Sequence, residues 1–354
     1  MISSVLLLTE SLNSNSLGRT YCVWRLATAA GWEVEVVSVE GGEVWAPLTG
    51  TDFAAACRAS TPARLAEELT RRAPDLLIAC KPLPSSLGVA ETLSVQLGIP
   101  LMVDIDDPDL EYRLSLGQPA KMLAKAALHP RRAAEYARLR RLSKRTPALV
   151  SNPWLESIYG GTIMPHVRDD TGPGAAHTSS EPVIGFIGSN KPHKGVPELR
   201  EAVARLAPQG FTLAVTDDPP EDAAPWEDWT GTTTFAEGQK LVRSVDIVVI
   251  PSRDIPMARG QLPAKLMDAM LAGRAVVATE LPPLPWGLAG TGRTIPDSSV
   301  DALERALSEL ADPRLRQHLG DAAREHALAS YTVSSNLKKF TAACTAAVTN
   351  GGAL

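Results

Sequence analysis

No run of the sequence approaches the roughly 20 uninterrupted apolar residues a membrane-spanning helix needs, so a transmembrane helix is not expected. Cysteine is equally uninformative for metal or redox chemistry. Cys22, Cys57, Cys80 and Cys344 are scattered, none forms a CxxC pair, and no histidine lies near them at metal-ligand spacing. Buried thiols in a reducing cytoplasm are therefore expected rather than a zinc centre or a disulfide framework. Positive charge is not in excess either: the net charge of −5 argues against a general nucleic-acid binder. The first residues, MISSVLLLTESLNS, have no charged region ahead of a brief apolar run, so they read as a strand rather than a signal peptide. There is no low-complexity tract.

What is present is an α/β pattern on a chain of 354 residues, long enough for two domains of ordinary size. In the first half, Ser4 to Thr9, Glu33 to Val39, Asp75 to Cys80 and Pro100 to Ile105 are strand-like, with helical patterns between them such as Leu65 to Arg72 and Leu87 to Leu97. Such alternation predicts a parallel sheet covered on both faces, with ligands at the carboxyl ends of its strands. Val167 to Pro182, VRDDTGPGAAHTSSEP, is rich in Gly, Pro, Ser and Thr and reads as a linker, after which the pattern restarts.

The stretch from Val245 to Thr279 is the most informative. Asp246 to Ile250 predicts a buried strand and Ala275 to Thr279 the next one. Between them a polar loop leads to a helix with Pro263 in its first turn, an apolar face of Leu262, Leu266, Met267, Met270 and Leu271, and Gly273 as its stop. The start of such a helix suits an anion, and Lys265 and Arg253 add matching charge. Asp268, about a turn further on, suits sugar hydroxyls instead. A second strand, loop and helix, VIGFIGSNKPHKGVPELREAVARL, carries Lys191 and Lys194 in its loop and enters its helix through Pro197, which again reads as an anion site rather than a plain solvent loop.

Three features of the first half admit two readings each. Ser11 to Arg19, SLNSNSLGR, either lets an acceptor approach the backbone or caps a helix through Asn15 or Ser16. The carboxylates of VDIDDPD, at a strand end, are hard to justify as packing. Asp106 and Asp107 are candidates for orienting an acceptor hydroxyl or stabilising a reacting sugar, against a capping role; a divalent ion is the tempting third possibility. From Arg113 to Arg145 the chain is strongly basic, which fits a long solvated helix or a peripheral contact with anionic lipid or an anionic acceptor.

The pattern PS, a loop, and a helix ending in an acidic residue followed by AM, Gly and VVAT resembles the donor-binding segment of GT-B glycosyltransferases, specifically the retaining enzymes of family 4. In that family two glutamates separated by seven residues flank the helix start; Asp268 stands at the second and Gly260 at the first. Lys194 and Gly195 match a family lysine and its glycine, Ser189 replaces a family arginine, and Lys191 is near enough to substitute for it. Gly18 is similar to the family's glycine loop after the first strand. SNPWL with TIMPH resembles the segment that closes the first domain, which would bring His166 to donor or acceptor.

The resemblance implies two Rossmann-like doubly wound domains facing a central cleft: residues 1–167 on the acceptor side, a linker at 168–182, a nucleotide-sugar domain at 183–333, and a final helix at 334–354 returning to the first domain. It implies a hexosyltransferase-like, metal-independent transfer from a nucleotide-diphosphate sugar to an acceptor hydroxyl, with no other cofactor. Ser189, Lys191, Lys194, Arg253, Leu262, Pro263, Lys265 and Asp268 would bind donor. Asn15, Gly18, Arg19 and His166 would lie on the acceptor side, with Asp106, Asp107 and Lys194 catalytic. Two alternatives stay open: an epimerase or hydrolase of the same architecture, and a silent sugar-nucleotide-binding partner, the latter suggested by Gly260 and Ser189 at charged family positions.

Overall fold

Short runs of leucine and β-branched residues, buried on both sides, form parallel strands with helical crossovers. In the computed structural model, which describes residues 2–349, these make two sheets in two units. One unit comprises the chain up to His166 together with the helix from Asn336; the other runs from Val167 to Ser335.

The first sheet has seven strands: β1 (Ser4–Thr9), β2 (Glu33–Ser38), β3 (Cys57–Ala59), β4 (Leu76–Cys80), β5 (Leu101–Ile105), β6 (Ala148–Val150) and β7 (Thr162–Ile163), in the order β3-β2-β1-β4-β5-β6-β7. The second has six: β8 (Val183–Phe186), β9 (Thr212–Val215), β10 (Glu227–Trp229), β11 (Ile247–Ile250), β12 (Ala275–Thr279) and β13 (Arg293–Ile295), in the order β10-β9-β8-β11-β12-β13. Each is doubly wound, with strand order reversing beside its first strand, between β1 and β4 and between β8 and β11. Crevices for ligands open at such reversals, outside the carboxyl ends of the strands.

The alternation of side chains along a strand divides the second unit's core into two layers. Val248 and Ile250 pack with Leu266, Met267 and Met270 of the helix Ala264–Leu271. Ile247 and Val249 face the other way, onto Leu199 and Val203 of the helix Val196–Leu206. The helix starts are thereby fixed against the strand ends that precede them.

The structure departs from sequence expectation in several places. β3 and β10 were not anticipated; each is three residues long and is stabilised by its neighbour strand rather than by its own pattern. Trp229, in β10, donates its indole N–H to Glu227 and, like Trp226, packs on the core layer that holds Leu199 and Val203. Pro263 sits at the N-cap, in extended conformation, one position before the helix proper. The basic segment is not one long helix. Proline at the starts of Pro119–Leu128 and Pro130–Ser143, and left-handed backbone at Ser115 and Gly117, divide it into three with Asp109–Leu114. The final helix spans Val333–Thr349, with Phe340 buried 5.5 Å from Trp32, and residues 350–354 of its expected range lie outside the described residues.

Residues 168–182 contain no helix, but they are strapped to the second unit. His177 is buried, with Nδ1 3.2 Å from Asp246 Oδ1 and Nε2 3.0 Å from the Gly273 carbonyl. Arg274 donates to the carbonyl of Ala175 and Arg316 to that of Ser179; both guanidiniums are buried.

Candidate functional site

At the reversal of the second sheet, two loops meet. The chain after β8 passes Gly188 and Ser189 to Gly195, which starts the helix Val196–Leu206; the chain after β11 passes Pro251 to Pro263. Gly195 has a φ of 71°, and a Cβ there would lie 1.9 Å from the Pro251 carbonyl oxygen, so only glycine permits this approach. The Arg253 N–H donates to the His193 carbonyl at 2.9 Å, joining the loops directly.

This junction gathers two cations. Lys194 Nζ donates to Gln261 Oε1 at 3.2 Å. Lys265 Nζ lies 3.8 Å from the centroid of the Phe186 ring, a cation–π distance, and a Cβ on Gly188 would come within 3.3 Å of it. Burial, and then the like charge of Lys194, push the Lys265 pKa well below the usual lysine range. No side chain caps the helix Ala264–Leu271, whose first turn carries Lys265 itself. An anion here would relieve the repulsion, raise the Lys265 pKa again and meet the positive end of a helix.

The reversal of the first sheet has the opposite composition. Lys81, directly after β4, is 4% exposed and reaches three carboxylates: Asp106 Oδ1 at 2.8 Å, Asp107 Oδ2 at 3.0 Å and Asp109 Oδ2 at 2.9 Å. Burial opposes the Lys81 charge, but the three aspartates outweigh it and hold its pKa well above the ordinary value. Asp109 is pushed up to about 6 by burial and by Asp107 and Asp106, against the pull of Lys81. Three carboxylate oxygens within 4.8 Å of one another are spaced as metal ligands, and the ammonium stands among them. Lys81 takes a φ of 80°, unusual for a side chain with a Cβ, and is held there by its N–H to the Asp104 carbonyl and by Ser86 Oγ donating to its own carbonyl.

The remaining expected residues divide between these places and the core. Asp106 is buried and Asp107 is 34% exposed, and neither caps the next helix, whose N-cap is Pro108. Arg19, expected to meet an acceptor, is instead a core group. It pairs with buried Asp104 through Nε and Nη2 and donates to the carbonyls of Met164 and Pro165. His166 is also buried, its Nδ1 3.7 Å from Cys22 Sγ. Asn15 is exposed and Gly18 packs against Trp45; Ser16 occupies the helix N-cap without a side-chain cap bond. Ser189 and Lys191 are exposed at the mouth of the second-unit junction, and Leu262 is core. Arg253 pairs with Glu198 at 2.6 Å, and Asp268 with Arg168 at 2.8 Å, leaving Asp268 further acceptor capacity.

Lys81 escaped sequence reading because its partners lie 25 or more residues away; the available signal was a charge ending the apolar run LLIAC in a sheet whose next strand ends in carboxylates. Gln261 was missed because a neutral side chain in a polar loop carries no pattern.

Residues 181–312 match the family model described as glycosyl transferases group 1. Bacillus subtilis TuaH, described as a teichuronic acid biosynthesis glycosyltransferase, is 29% identical over 107 residues; the match spans 28% of this chain and only 27% of that relative. Anabaena HepE in complex with UDP and glucose superposes with a TM-score of 0.74 at 14% identity, covering 98% of this chain and 100% of that one. Sucrose-phosphate synthase from Thermosynechococcus elongatus gives 0.72 at 14% identity, covering 96% and 98%. The fold is therefore GT-B, and its second unit carries the sequence pattern of the group 1 glycosyl transferases.

Proposed function

We propose that this protein is a retaining glycosyltransferase of family 4 type that moves a hexose from a nucleotide-diphosphate sugar to an acceptor hydroxyl without a metal ion. The observation that carries the proposal is the meeting of Lys194 and Lys265, from two separate loops, at the reversal of the second sheet. A departing diphosphate supplies the anion that this pair and the adjacent helix start lack. Asp268 would accept hydrogen bonds from the ribose with the oxygen not taken by Arg168. On the first unit, half-buried Asp107 is the most accessible of the three carboxylates on Lys81 and would meet the acceptor or the reacting sugar, while Asp106 is buried against the ammonium. Because HepE is described with UDP-glucose, UDP-sugars are the first donors to test.

The test is transfer from a panel of UDP- and other nucleotide-sugars to hydroxyl acceptors, with the product's anomeric configuration read by NMR. Transfer with retention, reduced about a hundredfold or more in kcat by Lys194→Ala, is expected; inversion would overturn the mechanism. Product analysis with donor alone separates an epimerase or hydrolase. One observation favours a silent binding partner: Gly260, with a φ of 89°, occupies the family's first glutamate position. Nucleotide binding without turnover across the panel would select that reading.

A further inference from the structure

We propose that the helix Pro119–Leu128 and the basic residues beside it form a docking surface for an anionic lipid membrane. None of the helix's residues is buried. Of the seven exposed large apolar side chains among the described residues, four lie in this short region: Tyr112, Met122, Leu123 and Leu128, the last two 67% and 74% exposed. Ala126, alone in the helix, is half-buried, which turns that side toward the rest of the unit. Ala120, Ala124 and Leu128 lie at helical spacing on the arc away from it, and Leu123, nearer that side, is exposed at its border. An apolar face kept in water by a protein that packs its other helices is a face for a partner.

Charge identifies the partner. From residue 112 to 134 there is no Asp or Glu, although the whole chain is net negative at −5. The structure also separates the basic residues that serve the fold from those that do not. Arg113 pairs with Glu10, Arg138 with Glu91 and Glu135, and Arg140 with Glu111. Lys125 donates to the carbonyls of Tyr112 and Arg113. Lys121, Arg131 and Arg132 are exposed, and among the described residues no ion pair is recorded for them. An apolar face bordered by such cations suits the headgroup boundary of an anionic bilayer. A second copy would set like charges against each other across an isologous contact, and a nucleic acid would leave Leu123 and Leu128 unexplained.

The test is sedimentation of the full chain with phosphatidylcholine vesicles containing roughly a quarter phosphatidylglycerol, and with phosphatidylcholine alone, at low and high salt. Binding only to the anionic vesicles, released by salt, is expected. Lys121→Glu with Arg131→Glu and Arg132→Glu should weaken it about a hundredfold or more, and Leu123→Ser with Leu128→Ser about tenfold. Both variants should keep the melting temperature of the parent, because Lys121, Leu123, Leu128, Arg131 and Arg132 are all exposed. Absence of binding to anionic vesicles, or binding that the triple charge reversal leaves intact, overturns the proposal. So does self-association in sedimentation velocity that Leu123→Ser abolishes while vesicle binding persists.

Discussion

Where the first sheet reverses, three carboxylates close around one ammonium; where the second reverses, Lys265 lies over an aromatic ring at the start of an uncapped helix, with Lys194 close enough to repel it. Strand order on either side of the reversal is equivalent in the two sheets. Topology thus provides a crevice at the strand ends, and a handful of residues there set its charge. The first cluster contains its own counterion and the second does not, so only the second gains electrostatically from an anionic ligand.

The largest effect should come from removing that counterion. Lys81→Met would leave three neighbouring carboxylates, one of them buried, and should lower the unfolding free energy by about 3–5 kcal/mol, measured by urea denaturation near neutral pH. The raised Asp109 pKa, about 6, sets the sign of the pH dependence. Its contribution to stability is full below the usual carboxylate range and is lost as pH rises through about 6. The variant's deficit should therefore shrink on acidification, and an unchanged urea midpoint at both pH values would show that the ammonium does not hold the cluster.

Gly195→Ala tests whether the second junction depends on backbone contact. Its added carbon meets the Pro251 carbonyl in a left-handed conformation, so a loss of more than about 1 kcal/mol is expected, together with at least a tenfold weaker UDP affinity by calorimetry. Wild-type affinity with a folded, equally stable variant would mean that the loops adjust without consequence.

Proton linkage sharpens the contrast further. Since burial and Lys194 lower the Lys265 pKa in the free protein, a bound diphosphate should raise it and take up to one proton from solution. Affinity then falls by up to about tenfold per pH unit between the lowered value and the ordinary lysine value of about 10.4. Titration calorimetry in buffers of differing ionisation enthalpy reads this directly, and Lys265→Met should remove it. The smallest effect belongs to Arg253→Ala. Its half-exposed pair with Glu198 is worth about 0.2–1 kcal/mol, and UDP affinity should change less than about threefold. A larger loss would show that Arg253 leaves Glu198 for the phosphates.

Legibility in the sequence followed the range of the interaction. β1 and β12 were readable to the residue, because an apolar run between turn residues is a local signal. The placement of Lys194 and Lys265 beside two helix starts was readable because strand, loop and helix are contiguous in each case. Asp106 and Asp107 were conspicuous, but Lys81, which explains how the fold tolerates them, was not. Arg19 read as a loop cation and proved a core group because Asp104 lies 85 residues away. The Arg168 partner of Asp268 is likewise 100 residues distant, and β3 and β10 exist only through their pairing.

The strap from Arg168 to Pro182 bears on where a separately expressed second unit should be cut. A fragment beginning at β8 would have intact strands, yet it would strip the Ala175 and Ser179 carbonyls from the guanidiniums of Arg274 and Arg316 and remove His177 from Asp246. Two desolvated cations and a carboxylate would lose partners at the base of the sheet. The glycine- and serine-rich stretch that looks dispensable therefore belongs inside the fragment, whose natural start is Val167.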